Sequence, residues 1–143
     1  MNATAPERLA VVVERELPHP PERVWRALTQ PHLIEEWLMK NDFAPAVGHR
    51  FNLRGDWGGV LDCEVLVVEP HKTLSYTWNF AHDDAAYNLE SVVTLTLTAT
   101  RTGTHLRMEQ AGFRKEQKQA FHGARAGWKQ FFANLEQVLG RID

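Results

Sequence analysis

The chain has 143 residues, 43% of them hydrophobic and 24% charged, with a formal charge of -2 and a pI near 6.4. This balance gives no general electrostatic pull toward nucleic acid or an anionic membrane, and no apolar run approaches the ~20 residues that a spanning helix needs. The length suits one domain over 1–143, with its core from about residue 9 to about 140. Such a domain buries roughly 68–70% of its unfolded surface and needs neither metal nor disulfide to hold a core. The lone Cys63 excludes an internal disulfide and fits a reducing cytoplasm. The opening MNATAPERLA has no basic start and no apolar stretch, so no signal peptide is expected and a cytoplasmic location is.

In chain order, LAVVVEREL makes a first strand, and RVWRALTQPHLIEEW follows with helical spacing. Val24, Trp25 and Leu28 share one face, and Leu33, Ile34 and Trp37 share another beyond Pro31. Proline removes an N–H and pushes Gln30 out of the α region, yet suits the first turn of a new helix. Two short helices are therefore predicted. From Val47 the period becomes two: VGHRFNLR points Phe51 and Leu53 one way, and GDWGG is a glycine-rich turn. VLDCEVLVVEP then directs Leu61, Cys63, Val65 and Val67 inward, against Asp62 and Glu64. KTLSYTWNF sets Leu74, Tyr76, Trp78 and Phe80 against Ser75, Thr77 and Asn79. After the polar link AHDDAAYN, LESVVTLTLTATR and THLRMEQ form a hairpin around Thr102-Gly103, with Leu106 and Met108 inward. Short links between consecutive strands favour an antiparallel meander.

A long helix closes the chain from about Lys115 to Gly140, with a stripe of Phe121, Ala124, Trp128, Phe131, Leu135 and Val138. Some 25 residues would span roughly 38 Å, longer than a strand, so the helix must lie across the sheet. The order predicts an α+β domain whose curved antiparallel sheet wraps a long C-terminal helix.

That order, with these residues, resembles the helix-grip fold of the START-like or SRPBCC superfamily. Within it the chain is most similar to the family named for homology to the activator of the heat-shock-protein-90 ATPase, the AHSA-like proteins. The resemblance runs from about Val11 to Leu139. It rests on Val24-Trp25-Arg26-Ala27-Leu28-Thr29 with Pro31, Ile34 and Trp37, on Val47-Gly48 before Phe51, and on Gly59 before the strand to Glu69-Pro70. Leu74-Ser75-Tyr76-Thr77-Trp78, Gly103-Thr104 with Leu106 and Met108, Gly112-Phe113 at the helix entry, and Gly127-Trp128 complete it. Many relatives carry a histidine three residues before the phenylalanine of Gly-Phe; here Gln110 stands there, and no role of that histidine is carried over.

The resemblance implies a cavity in the concave face of the sheet, walled on one side by the two short helices and the closing helix. Trp37, Phe51, Trp57, Cys63, Tyr76, Trp78, Phe80, Met108, Gln110, Trp128 and Phe131 are the candidate lining. Ligand pockets are mostly apolar walls with a few polar groups, but aromatics are also ordinary core. Trp57, in a turn with little core demand, is expected at the pocket rim, Trp37 nearer the mouth, and Trp25 in the core. His49, Cys63, Tyr76 and Gln110 are in phase with inward residues, and each needs a partner or a ligand. Gly123 and Gly127 imply a close approach on the last helix, by the sheet or by a ligand.

Catalytic residues, a metal site and a cofactor are not expected. The seven histidines show no ligand spacing, His82-Asp83-Asp84 reads as a solvated loop, and GDWGG leads into a strand, unlike a phosphate-cradling loop. Three function classes follow. The first is a cytoplasmic binder of a hydrophobic or aromatic small molecule, lipid-like or polyketide-like. The second is a co-chaperone-like module, acting in stress response with a filled core and a protein partner or homodimer. The third is a cyclase- or hydrolase-like enzyme, suggested by fold analogy alone.

Overall fold

A computed structural model describes residues 8–142. Its elements are β1 (Arg8–Leu17), α1 (Pro21–Thr29), α2 (Pro31–Trp37), β2 (Lys40–Asn41), β3 (Arg50–Arg54), β4 (Val60–Glu69), β5 (Thr73–Phe80), a single 3-10 turn (Ala85–Tyr87), β6 (Leu89–Ala99), β7 (Thr104–Arg114) and α3 (Lys118–Leu139). The seven strands form one antiparallel sheet in the order β1-β7-β6-β5-β4-β3-β2. The meander thus runs in sequence from β2 to β7, and β1 closes onto β7. The curved sheet, the two short helices after its first strand and the long closing helix make a helix-grip α+β domain.

The break between α1 and α2 is as the proline dictates. Gln30 is extended (φ -95°, ψ 122°), and Pro31 opens α2 where its missing N–H is not needed. Trp37 then turns back, its indole N–H donating to the Ala27 carbonyl at 2.8 Å, so the second helix is tied to the first. The end of α3 is held by α1: the Arg23 guanidinium donates to the carbonyls of Leu139 (3.2 Å) and Ile142 (2.7 Å), satisfying acceptors that a helix terminus leaves free.

Four details depart from the sequence reading. In β4 the alternation breaks at a bulge between Val65 and Val67, so that Val68, opposite Leu74, packs on the core where Val67 was expected. β7 does not stop at Gln110 but pairs with β1 as far as Arg114, which delays the start of α3 to Lys118 and leaves Phe113 on a strand. On α3 it is Phe132 that is fully buried, while Phe131 is half-buried on the flank. His49 lies just before β3, half-exposed, with its ring nitrogen on the Asp42 carbonyl at 2.9 Å.

Candidate ligand site

The expected lining residues fall into three groups. The deepest is around Trp128, whose ring centroid lies 5.3 Å from Trp78, 6.5 Å from Trp37, 5.4 Å from Phe131 and 5.8 Å from Phe132. Trp37 and Trp128 are each 1% exposed and Met108 is fully buried, so this group is close-packed core. Trp37 is therefore deep core, not a residue near the mouth. A polar thread runs through the group. The Trp128 indole N–H donates to Gln110 Oε1 (2.8 Å), Gln110 Nε2 to Ser91 Oγ (3.0 Å), and the Ser91 hydroxyl to the Trp78 carbonyl (2.6 Å). It links α3, β7, β6 and β5, and leaves Gln110 partnered at both ends. Ser91 carried no such signal in the sequence, because its partners come from strands distant in the chain.

The second group lies on the inner face of β3, β4 and β5. Phe51 packs edge-on against Tyr76 (5.3 Å) and Phe43 (5.1 Å), and Phe43 also touches Tyr76 at 6.2 Å. Phe43, from the segment between β2 and β3, escaped the sequence reading because it belongs to no periodic run. Cys63 is opposite Phe51 in the ladder. Burial pushes its thiol up to about 12, with the carboxylates of Asp62 and Asp42 adding to the effect. At neutral pH it is a protonated thiol and not a nucleophile. Burial also raises the Tyr76 hydroxyl well above its ordinary value, with Cys63 nearby as the lesser cause. On the outer face of the same strands, a recess of about 250 Å³ is lined by Arg50, Asn52 and Asp62 over Phe51 and Cys63.

The third group forms the rim. Trp57 is 62% exposed, and its ring lies 5.9 Å from half-buried Phe80, which approaches His82 at 6.1 Å; His82 in turn lies 5.1 Å from exposed Tyr87. The Trp57 ring folds back over Gly55 and Gly59, and a Cβ at either position would overlap it. Gly55 and Gly59 thus make room for the tryptophan, and Gly58 between them takes the left-handed backbone of the turn (φ 87°). Beside Tyr87 a groove of about 750 Å³ runs to the first turn of α3, past Leu89 and Arg114. The Arg114 guanidinium and Gln117 amide donate to carbonyls of the 3-10 turn and Asn88, fixing the wall of that groove.

What separates the groups is α3. It packs on β1, β7, α1 and α2. Glu136 faces β1, where Arg15 donates to it at 2.8 and 2.5 Å. At 3.6 residues per turn, Gly127, Ala124 and Phe131 lie on the other side of Trp128 from Glu136. That flank points away from β1, and Gly123 on it is exposed to solvent. There the helix is bare: a Cβ built at Gly123 or Gly127 would meet no atom within 4 Å. The sheet was expected as one of two partners for these glycines, and it does not approach them.

The family model for Activator of Hsp90 ATPase homolog 1-like protein matches residues 18–140. The chain belongs to that family. Within the START-like superfamily it is similar to solved structures over nearly its whole length. Protein MLL2253 from Mesorhizobium loti is 72% identical, with a TM-score of 0.92 over 94% of this chain and 99% of that one. DynU16, from the dynemicin biosynthetic locus, is 26% identical with a TM-score of 0.81; the match covers 92% of this chain but 47% of DynU16, so the chain spans about half its length. Protein BH1534 from Bacillus halodurans is 26% identical with a TM-score of 0.77, over 92% and 98% of the two chains. No curated protein matches.

Among the described residues no group of three or more histidine, cysteine or acidic side chains is placed to hold a metal ion, and no helix is long and apolar enough to cross a membrane.

Proposed function

We propose that this protein binds a hydrophobic or aromatic small molecule, lipid-like or polyketide-like, between the inner face of β3–β5 and the bare flank of α3. The observation that carries this reading is the pair Gly123 and Gly127, one turn apart on α3, exposed and half-buried respectively, beside which a Cβ would meet no atom within 4 Å. Two glycines one turn apart each cost helix stability of roughly 1 kcal/mol relative to alanine. A ligand seated against them would account for that cost. Phe51, Tyr76, Trp78 and Phe131 would supply the apolar wall, with Trp57 and Phe80 at the entrance. Binding would be by burial, with few orienting polar contacts. The occurrence of a relative in a dynemicin biosynthetic locus accords with a small-molecule ligand. The role is proposed as holding, not converting, within a single cytoplasmic domain.

The filled group around Trp128 favours a second reading, in which the interior is structural and a protein partner binds outside. Tryptophan-fluorescence titration against a panel of lipids, aromatics and polyketides separates the two. Saturable quenching that weakens in Trp78→Ala and Trp57→Ala is the expected result. Silence across the panel from folded protein would remove the small-molecule reading and leave the partner.

A further inference from the structure

Tyr76 points inward from β5 between Leu74 and Trp78 and is 4% exposed. A buried tyrosine hydroxyl ordinarily finds a hydrogen-bond partner. This one makes no hydrogen bond among the described residues, whereas the nearby Ser75, Ser91 and Gln110 are all satisfied. No fully enclosed side-chain nitrogen or oxygen among the described residues lacks a partner. The unpartnered phenol is therefore not fully enclosed: its oxygen borders space that a water-sized molecule can reach. Side chains stand roughly perpendicular to a sheet, so the hydroxyl, at the tip of the ring, lies on the side of the helical layer. It is a donor set in an aromatic box of Phe43 and Phe51, aimed away from the sheet.

Resting on the reading above, we infer that Tyr76 is the polar anchor of the site and that the ligand is a neutral aromatic molecule bearing a hydrogen-bond acceptor, which the Tyr76 hydroxyl engages. The donor role follows from its surroundings. A phenol kept protonated at neutral pH offers its O–H, and the adjoining thiol is only a weak donor and acceptor. Neutrality follows from desolvation. Arg50, Asp62 and Glu64 all stand on the outer face of these strands, so the groups known to surround Tyr76 on the inner face are the rings of Phe43 and Phe51 and the protonated Cys63 thiol. An anionic group placed at Tyr76 would lose its water among the rings of Phe43 and Phe51. An acceptor that carries no charge, such as a ketone oxygen, meets no such obstacle. The edge-on packing of Phe43 and Phe51 around Tyr76 suits a flat ring system held by its faces and edges.

Three probes of matched shape test this by calorimetric titration: 2-acetylnaphthalene, which carries the acceptor; 2-isopropenylnaphthalene, which lacks it; and 2-naphthoate, which is charged. The ketone should bind more tightly than the alkene by about tenfold, the yield of one hydrogen bond, and the carboxylate should bind more weakly than either. Tyr76→Phe should erase the preference for the ketone and leave the alkene within about twofold. Because the hydroxyl has no partner in the free protein, the same variant should melt no lower than wild type. Equal binding of ketone and alkene by wild type, or an equal loss of both in Tyr76→Phe, would overturn the anchor while leaving the small-molecule site intact. A melting temperature several degrees lower in the variant would show the hydroxyl to be structurally engaged, and would overturn it too. Binding of no probe would sink the site itself and the anchor with it.

Discussion

The two halves of α3 obey different rules. From Trp128 onward the helix is clamped: Trp128, Phe132, Leu135, Val138 and Leu139 are all buried, Glu136 pairs with Arg15 on β1, and Arg23 holds the carboxyl end. From Lys118 to Gly127 no residue is fully buried, and the flank away from β1 is made of the small residues Ala120, Gly123, Ala124 and Gly127. One helix thus serves as core at one end and as an open wall at the other. The contrast teaches that one half of the helix can hold the fold: stability is concentrated in the half that makes no use of free space.

The largest test of that division is truncation of each half. Trp128→Ala removes a buried ring and the donor to Gln110, and should cost about 3–5 kcal/mol in urea unfolding. Phe121→Ala removes a half-buried ring whose edge contact with Phe113 spans 5.8 Å, and should cost no more than about 2 kcal/mol. Comparable losses at both positions would mean that α3 is clamped along its whole length.

A smaller effect of opposite sign sharpens the same comparison. Because a Cβ meets nothing at Gly123 or Gly127, alanine at either should raise stability by up to ~1 kcal/mol through helix propensity alone. A loss of stability would show that the flank closes on the sheet. Gly127→Leu should instead fill the space and abolish quenching by any ligand that binds there, with the protein still folded.

Much of the fold could be read from the residues, and what could not, the division of α3 included, has definite causes. Strict alternation gave the inward faces of β3, β5 and β6, and Pro31 marked the break between α1 and α2. The bulge in β4 was hidden because Leu66, Val67 and Val68 are all apolar, so no change of period marks the slip. Phe131 and Phe132 are adjacent and equally apolar, and only the position of Trp128 over Trp78 decides which one the core takes. Whether Gln110 and Tyr76 have partners depends on Ser91, Phe43 and Cys63, from other strands and loops, and spacing along the chain carries no record of that. The glycines of α3 could be noticed but not interpreted, because emptiness beside a helix is a property of the sheet it faces.

The clamped half rests on β1, an edge strand, and a polar clasp on the outer face holds β1 to β7. His105 sits opposite Glu16, and its two ring nitrogens meet the carboxylates of Glu16 and, at 2.8 Å, Glu14. These hydrogen bonds, to Glu16 first and Glu14 second, raise His105 above its ordinary 6.5. The folded protein therefore holds this proton more tightly than the unfolded chain does. The clasp contributes fully below about pH 6.5 and is lost as the pH rises through the higher folded value. All three side chains are partly exposed, so the contribution is well under ~1 kcal/mol and weakens with salt. The expected result is a slight fall in wild-type stability across that window, absent in His105→Gln. Hydrogen exchange would locate it, with β1 amides opening sooner at the higher pH and those of the first turns of α3 unchanged. Equal changes in both would mean that the open half also leans on β1, and the division of the helix would have to be redrawn.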